Sequence, residues 1–247
     1  MRLLIIGATG NSGLALTRMA LARGHAVTAY VRSAEKLQAL LAKQDVSGLT
    51  VRTGTLDDRA AMAGAMAGQD AVINAAGNAT TDPDFVPMVE AVIEIAEQAL
   101  AAGDRLWLFG GAAALDVPGY QLRAADLPVI PKVYKQHVHT LARVSRTALD
   151  WSMLCPGPMV SAQSGQPTKG LRISADCWPV EGPAPGQLFK TLHILKAFKQ
   201  RMPEMIVTYE DAARVILDNL APGGPFARKR VGLALPVGQA GAKPGGF

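Results

Sequence analysis

The run Gly7-Ala8-Thr9-Gly10-Asn11-Ser12-Gly13 follows four strongly apolar residues, Leu3 to Ile6, and leads into a helical pattern. Three glycines at G-x-x-G-x-x-G spacing require the chain to turn sharply from a strand into a helix. They also let another group approach the backbone closely. The helix start adds unpaired N–H groups and a partial positive charge, so the loop is suited to hold a pyrophosphate. The context of strand before and helix after favours that reading over a tight turn with no ligand.

The rest of the first 155 residues repeats the same alternation. Leu3–Ile6, Ala26–Val31, Leu49–Arg52, Ala71–Asn74, Leu106–Phe109 and Trp151–Leu154 read as strands. Helical patterns lie between them over Ser12–Arg23, Ala34–Ala42, Asp58–Met66, Pro87–Ala101 and Tyr134–Ala148. Continuous apolar strands separated by helices predict an α/β fold, a Rossmann-like doubly wound parallel sheet buried on both faces. With 247 residues, 49% hydrophobic and 18% charged, the chain has material for a sizeable core, which excludes disorder throughout.

After Leu154 the texture changes, with 11 of the 32 residues from Pro156 to Gln187 being Gly or Pro. A basic amphipathic segment follows, Leu188–Met202, with Leu188, Leu192, Leu195 and Phe198 expected on its buried side. We expect a single domain over 1–236, with a small C-terminal substrate lobe mainly from 156–205 and a loose tail over 237–247. Thr208 with Asp211 has the spacing of a capping box opening a last helix, and Val231–Leu235 reads as a last strand. Trp178, Phe189 and Met159 are candidates to line a flat apolar pocket. Lys190, His193, Lys196, Lys199 and Arg201 would draw an anionic ligand, against the plainer reading of a solvated basic face.

The net charge of +5 is mild over this length and does not suggest nucleic acid as a partner. Two cysteines, Cys155 and Cys177, are too few for a disulfide framework and suggest no metal site. No apolar run is long enough to cross a membrane, so a cytoplasmic protein without stable membrane insertion, monomeric or homodimeric, is expected.

The end of the second strand bears on cofactor choice. An NAD site needs a carboxylate about 20 residues past the loop for the ribose 2′-hydroxyl. Here the chain reads Tyr30-Val31-Arg32-Ser33, and the first acid is Glu35. Arg32, helped by Ser33 and Lys36, suits a 2′-phosphate and therefore NADP(H), the alternative being a solvated surface arginine.

Taken together, the pieces Gly7–Gly13, Val31-Arg32, Thr55-Leu56-Asp57-Asp58, Asn74-Ala75-Ala76-Gly77, Leu108-Phe109-Gly110-Gly111, Leu149-Asp150-Trp151 with Pro156-Gly157, and Val207-Thr208-Tyr209-Glu210-Asp211 stand in a familiar order. The chain resembles the atypical short-chain dehydrogenase/reductase group of NAD(P)H-binding proteins. That group includes NmrA-like redox sensors, biliverdin-IXβ/flavin reductases and NADH-flavin reductase-like bacterial proteins. The resemblance implies Gly7, Thr9, Gly10, Asn11, Ser12 and Gly13 at the pyrophosphate, with Arg32 and Ser33 at the 2′-phosphate. It also implies Leu56 and Asp57 near the adenine, Asn74, Ala75, Ala76 and Gly77 along the ribose, and Pro156 and Gly157 near the nicotinamide amide. Plainer readings compete: Asp57 as a helix cap, and Asn74–Gly77 as the turn any buried strand end needs.

The departures from the group are informative. Its best-known members pair Tyr-x-x-x-Lys for proton transfer. The residues four places after Tyr30, Tyr120, Tyr134 and Tyr209 are Ala34, Ala124, Val138 and Ala213, so that dyad is absent. The polar candidates left are Tyr134, Lys135 and His137, which the resemblance puts on the catalytic helix and which also suit an ordinary helix start. Reduction of a flavin or quinone needs alignment and solvent exclusion more than a dedicated acid. The expected activity is therefore NADPH-dependent hydride transfer to a planar small molecule, which the basic segment would favour in anionic form. The alternatives are a non-catalytic NADP(H)-binding sensor, or an epimerase or ketoreductase on a small biosynthetic intermediate.

Overall fold

The computed structural model describes residues 1–128, 130–184 and 190–242. Its chain order is β1 (Arg2–Ile6), α1 (Asn11–Ala22), β2 (Ala26–Val31), α2 (Ala34–Leu41), β3 (Leu49–Thr53), α3 (Arg59–Met66), β4 (Ala71–Asn74), α4 (Phe85–Ala99), β5 (Arg105–Phe109), α5 (Lys132–Val144) and β6 (Asp150–Cys155). Then come β7 (Met159–Val160), β8 (Arg172–Ala175), α6 (Lys190–Arg201), β9 (Val207–Thr208), α7 (Tyr209–Leu217) and β10 (Lys229–Ala234).

Eight strands form one sheet in the order β3-β2-β1-β4-β5-β6-β10-β8. All neighbours are parallel except β8, which runs antiparallel to β10. Side-chain alternation assigns the faces. Leu3 and Ile5 of β1 join the core under α1, α2 and α7, whereas Leu4 and Ile6 join the core under α3, α4 and α5. This is the doubly wound Rossmann-like fold. The strand order reverses between β1 and β4, so a crevice opens beyond their carboxyl ends.

β7 pairs with β9 in a separate two-stranded sheet, Met159 opposite Val207, while β8 becomes an edge of the main sheet. On α6, Leu195 and Phe198 pack against the core as expected, but Leu192 does not. Leu192 is 65% exposed, Ile194 is fully buried, and Phe198 packs on Trp178 at 5.1 Å between ring centroids. The helix therefore turns its 194–198 side inward, and Leu188 and Phe189 lie outside the described residues. Arg201 is engaged by Glu181 and Glu204, each at 2.8 Å, so it is not spare charge for an anion. Arg228, Lys229 and Arg230 are likewise absorbed into the fold. Arg228 donates to the Thr147 and Leu149 carbonyls, Lys229 pairs with Asp176, and Arg230 with Asp116 and Asp176.

At the amino ends of β5 and β6, buried Arg105 meets Asp150 at 2.9 Å and also donates to Ser152 and the Asn219 carbonyl. Burial pulls the Arg105 pKa down and Asp150 pulls it back up. No described helix is long and apolar enough to cross a membrane. Among the described residues no group of three His, Cys, Asp or Glu side chains could hold a metal.

Candidate active-site cleft

A cleft of about 990 Å³ runs along the carboxyl ends of β1, β2 and β4 and continues toward α5 and α7. Its floor is main chain. Gly7 has φ +81°, and a Cβ there would come within 2.8 Å of the Ala76 backbone. A Cβ on Gly13 would run into the Gly7 carbonyl, so this glycine serves the close packing of α1 on the loop. The N-terminus of α1 opens into the cleft with Gly10 at its cap. No side chain caps it and no acid sits in its first turn. By contrast, α2, α3 and α7 are capped by Ser33, Asp58 and Thr208. Uncapped N–H groups facing an open cleft are what an anionic diphosphate requires.

Of the residues expected to hold a cofactor, Gly7, Thr9, Gly10, Asn11, Ser12, Arg32, Leu56, Asp57, Ala75, Ala76 and Gly77 lie on the cleft wall. Arg32 is exposed at the end of β2 with Lys36 beside it on the wall. Asp57 does not cap α3, because the neighbouring Asp58 does so by accepting from the Ala61 N–H at 3.0 Å. Five other residues stand back from the wall. Gly13 is under the loop, and the Ser33 hydroxyl caps α2 at the Lys36 N–H. Buried Asn74 accepts from the Ala76 N–H and shapes the turn. The Pro156 carbonyl accepts from Ala112, and Gly157 packs against Met205.

The three candidates on α5 are separated by the helix. His137 reaches the cleft, whereas Tyr134 is 42% exposed and off its wall. Lys135 faces Asp126 on another side. Burial raises the Asp126 carboxyl, but Arg123, with Lys135 adding to it, outweighs this and holds it low. His137 fits against Gly111, where a Cβ would meet its ring at 2.8 Å, and stands edge-on to Phe85 at 5.2 Å. Burial lowers its pKa to about 4, and its Nδ1 has no partner among the described residues. The imidazole is therefore neutral at ordinary pH.

Phe85, which stands against His137, lines the wall together with Met88, Phe109 and Met159, and with Tyr209 at the start of α7. Met159 thus lines the cleft, while Trp178 is buried under α6 and does not. Phe85, Met88 and Tyr209 were not among the expected site residues. The only sequence signal was for Tyr209, which lies directly after the Thr208 cap.

A family model described as NAD(P)H-binding matches residues 7–176, from the glycine loop to the end of β8. The chain belongs to this NAD(P)H-binding family. Its cofactor class is therefore a nicotinamide dinucleotide. The uncharacterized protein YwnB of Bacillus subtilis (strain 168) is 34% identical over 165 residues, 63% of this chain and 71% of YwnB. Two solved structures share the fold of this NAD(P)H-binding protein. One is a "putative NADH-flavin reductase" from Streptococcus pneumoniae TIGR4, with TM-score 0.69 and 23% identity over 96% of this chain and 100% of that one. The other is ChuY, an anaerobillin reductase from Escherichia coli O157:H7, with TM-score 0.63 and 20% identity over 99% and 100%.

Proposed function

We propose that the chain is an NADPH-dependent reductase that passes hydride to a flat acceptor such as a flavin or quinone. The observation that carries this reading is the continuity of the cleft. An uncapped helix start and Arg32 lie along one part, and an apolar wall around a neutral histidine lies along the other.

In this reading the N–H groups at the start of α1, with the Thr9 and Ser12 side chains beside them, receive the diphosphate. Arg32 and Lys36 take the 2′-phosphate, Leu56 and Asp57 border the adenine, and Ala75 to Gly77 follow the ribose. Gly13, Ser33, Asn74, Pro156 and Gly157 support this cradle from behind. The bound cofactor supplies the hydride. Phe85, Met88, Phe109 and Met159 hold the acceptor flat and exclude water, which is most of what such a transfer asks of a protein. His137, neutral in the resting protein, orients a polar edge of the acceptor by hydrogen bonding and is not a resting acid. Tyr134 and Lys135, turned elsewhere, have no part in the transfer. A dinucleotide reductase with two unpaired cysteines suits the cytoplasm.

The test is to mix the protein with NADPH and a panel of FMN, FAD, quinones and small carbonyl compounds, following loss of reduced-nicotinamide absorbance. Turnover with a flavin or quinone supports the reading. Tight binding with no oxidation by any acceptor would replace it with that of a cofactor-binding sensor. Turnover with carbonyl compounds alone would replace it with a ketoreductase.

A further inference from the structure

Two observations about the cleft do not follow from the glycine loop. Arg32 and Lys36, both at the β2 end, are the only lysine or arginine side chains on its wall among the described residues, and the wall also carries Asp57, Asp82 and Asp84. Among the described residues, a diphosphate lying on the loop would therefore have no cationic side chain beside it. The second observation concerns Tyr209, whose hydroxyl accepts a hydrogen bond from Asn11 Nδ2 at 3.1 Å. A phenol has one proton to donate, and no acceptor for it is found among the described residues. The proton is available on the cleft side of the loop.

The position of Tyr209 is held from three directions. Thr208 and Asp211 form a reciprocal capping box around it. The Glu210 carboxylate accepts from the Ala162 N–H at 3.0 Å, and Asp211 accepts from Thr168 N–H and Oγ1. α7 itself packs along α1, the helix that the loop starts. The ring is thus fixed relative to Asn11 before any ligand arrives, and little freedom is lost on binding.

We propose that Tyr209 is a further cofactor-holding residue, its hydroxyl donating to the diphosphate while Asn11 holds the oxygen in place. This rests on the dinucleotide cleft assigned above. It supplies from α7 the charge-directed hydrogen bond that the wall lacks in cationic form.

Tyr209→Phe keeps the ring and removes the donor. Dissociation constants for NADPH and NADH, measured by nicotinamide fluorescence, should both weaken about ten-fold, with their ratio unchanged. Binding of adenosine 2′-monophosphate, which has no diphosphate, should stay within about two-fold by calorimetry. Unaltered NADPH affinity in the variant overturns the proposal, as does an equal loss for adenosine 2′-monophosphate, which would make Tyr209 only a packing residue. Wild-type protein that binds neither dinucleotide would overturn the reductase reading as well, so the two failures are distinguishable.

Discussion

The two parts of the cleft are built by different means. At the glycine loop the walls are main chain: Gly7 against Ala76, the bare start of α1, and the Asn74–Gly77 turn. Toward His137 the walls are side chains that reach in from α4, β5, α5 and β7, while Tyr209 of α7 meets the loop at Asn11. A main-chain site depends on a few residues that permit an unusual backbone, and it tolerates change elsewhere. A side-chain site depends on how four separate elements pack, and its chemistry can be altered without touching the fold. The first kind suits a cofactor shared by a whole family, the second an acceptor particular to one member.

That contrast can be broken most sharply at Gly13. Gly13→Val puts a branched side chain into the Gly7 carbonyl, and we expect no measurable NADPH binding by fluorescence, with a lowered unfolding midpoint. At the opposite, amino ends of the strands, Asp150→Ala leaves Arg105 buried without its counter-charge. It should cost about 3–5 kcal/mol in urea unfolding while the NADPH affinity of the folded protein is unchanged, separating damage to the fold from damage to the site.

His137 gives a pH signature to the side-chain part. The folded protein keeps the imidazole neutral down to about pH 4, while the unfolded chain takes up a proton near its ordinary 6.5. As pH falls through that interval the unfolded state binds the extra proton, so stability declines; above it the effect vanishes. The decline should amount to about 2–3 kcal/mol between these limits and be flattened in His137→Asn, as read from denaturation at a series of pH values. At the other part, Arg32→Ala should weaken NADPH about ten-fold or somewhat more and leave NADH within about two-fold. Equal losses for both would remove the 2′-phosphate from Arg32.

The same contrast explains what could be read from the chain before folding. β2 and β4 coincide with the apolar runs Ala26–Val31 and Ala71–Asn74, because a strand buried on both faces has no alternative to continuous apolar residues. α4 begins at Phe85, ahead of the Pro87 start the pattern suggested, since a proline in the first turn loses no helical hydrogen bond. α5 ends at Val144, short of Ala148, where the chain turns and Thr147 donates to the Val144 carbonyl. β8 went unread because an edge strand of Arg172-Ile173-Ser174-Ala175, half-exposed throughout, has no apolar run to show. In the cleft, the loop and Arg32 were legible from spacing alone. The meeting of Phe85, Met159 and Tyr209 was not, since nothing local to any one of them states which distant segment it will face. The α5 candidates show the limit of reading a short segment: Tyr134, Lys135 and His137 stand together at the start of one helix, but only His137 points into the cleft.

The arrangement of β10 between β6 and β8 has a consequence for the newborn chain. As the polypeptide leaves the ribosome, β6 can dock on β5 at once, but its other edge stays bare until Lys229–Ala234 emerges. β8 must wait equally long, because its ladder partner is that same late strand. The growing protein therefore carries an open sheet margin through most of its later synthesis, and the insertion of one six-residue strand closes both gaps together.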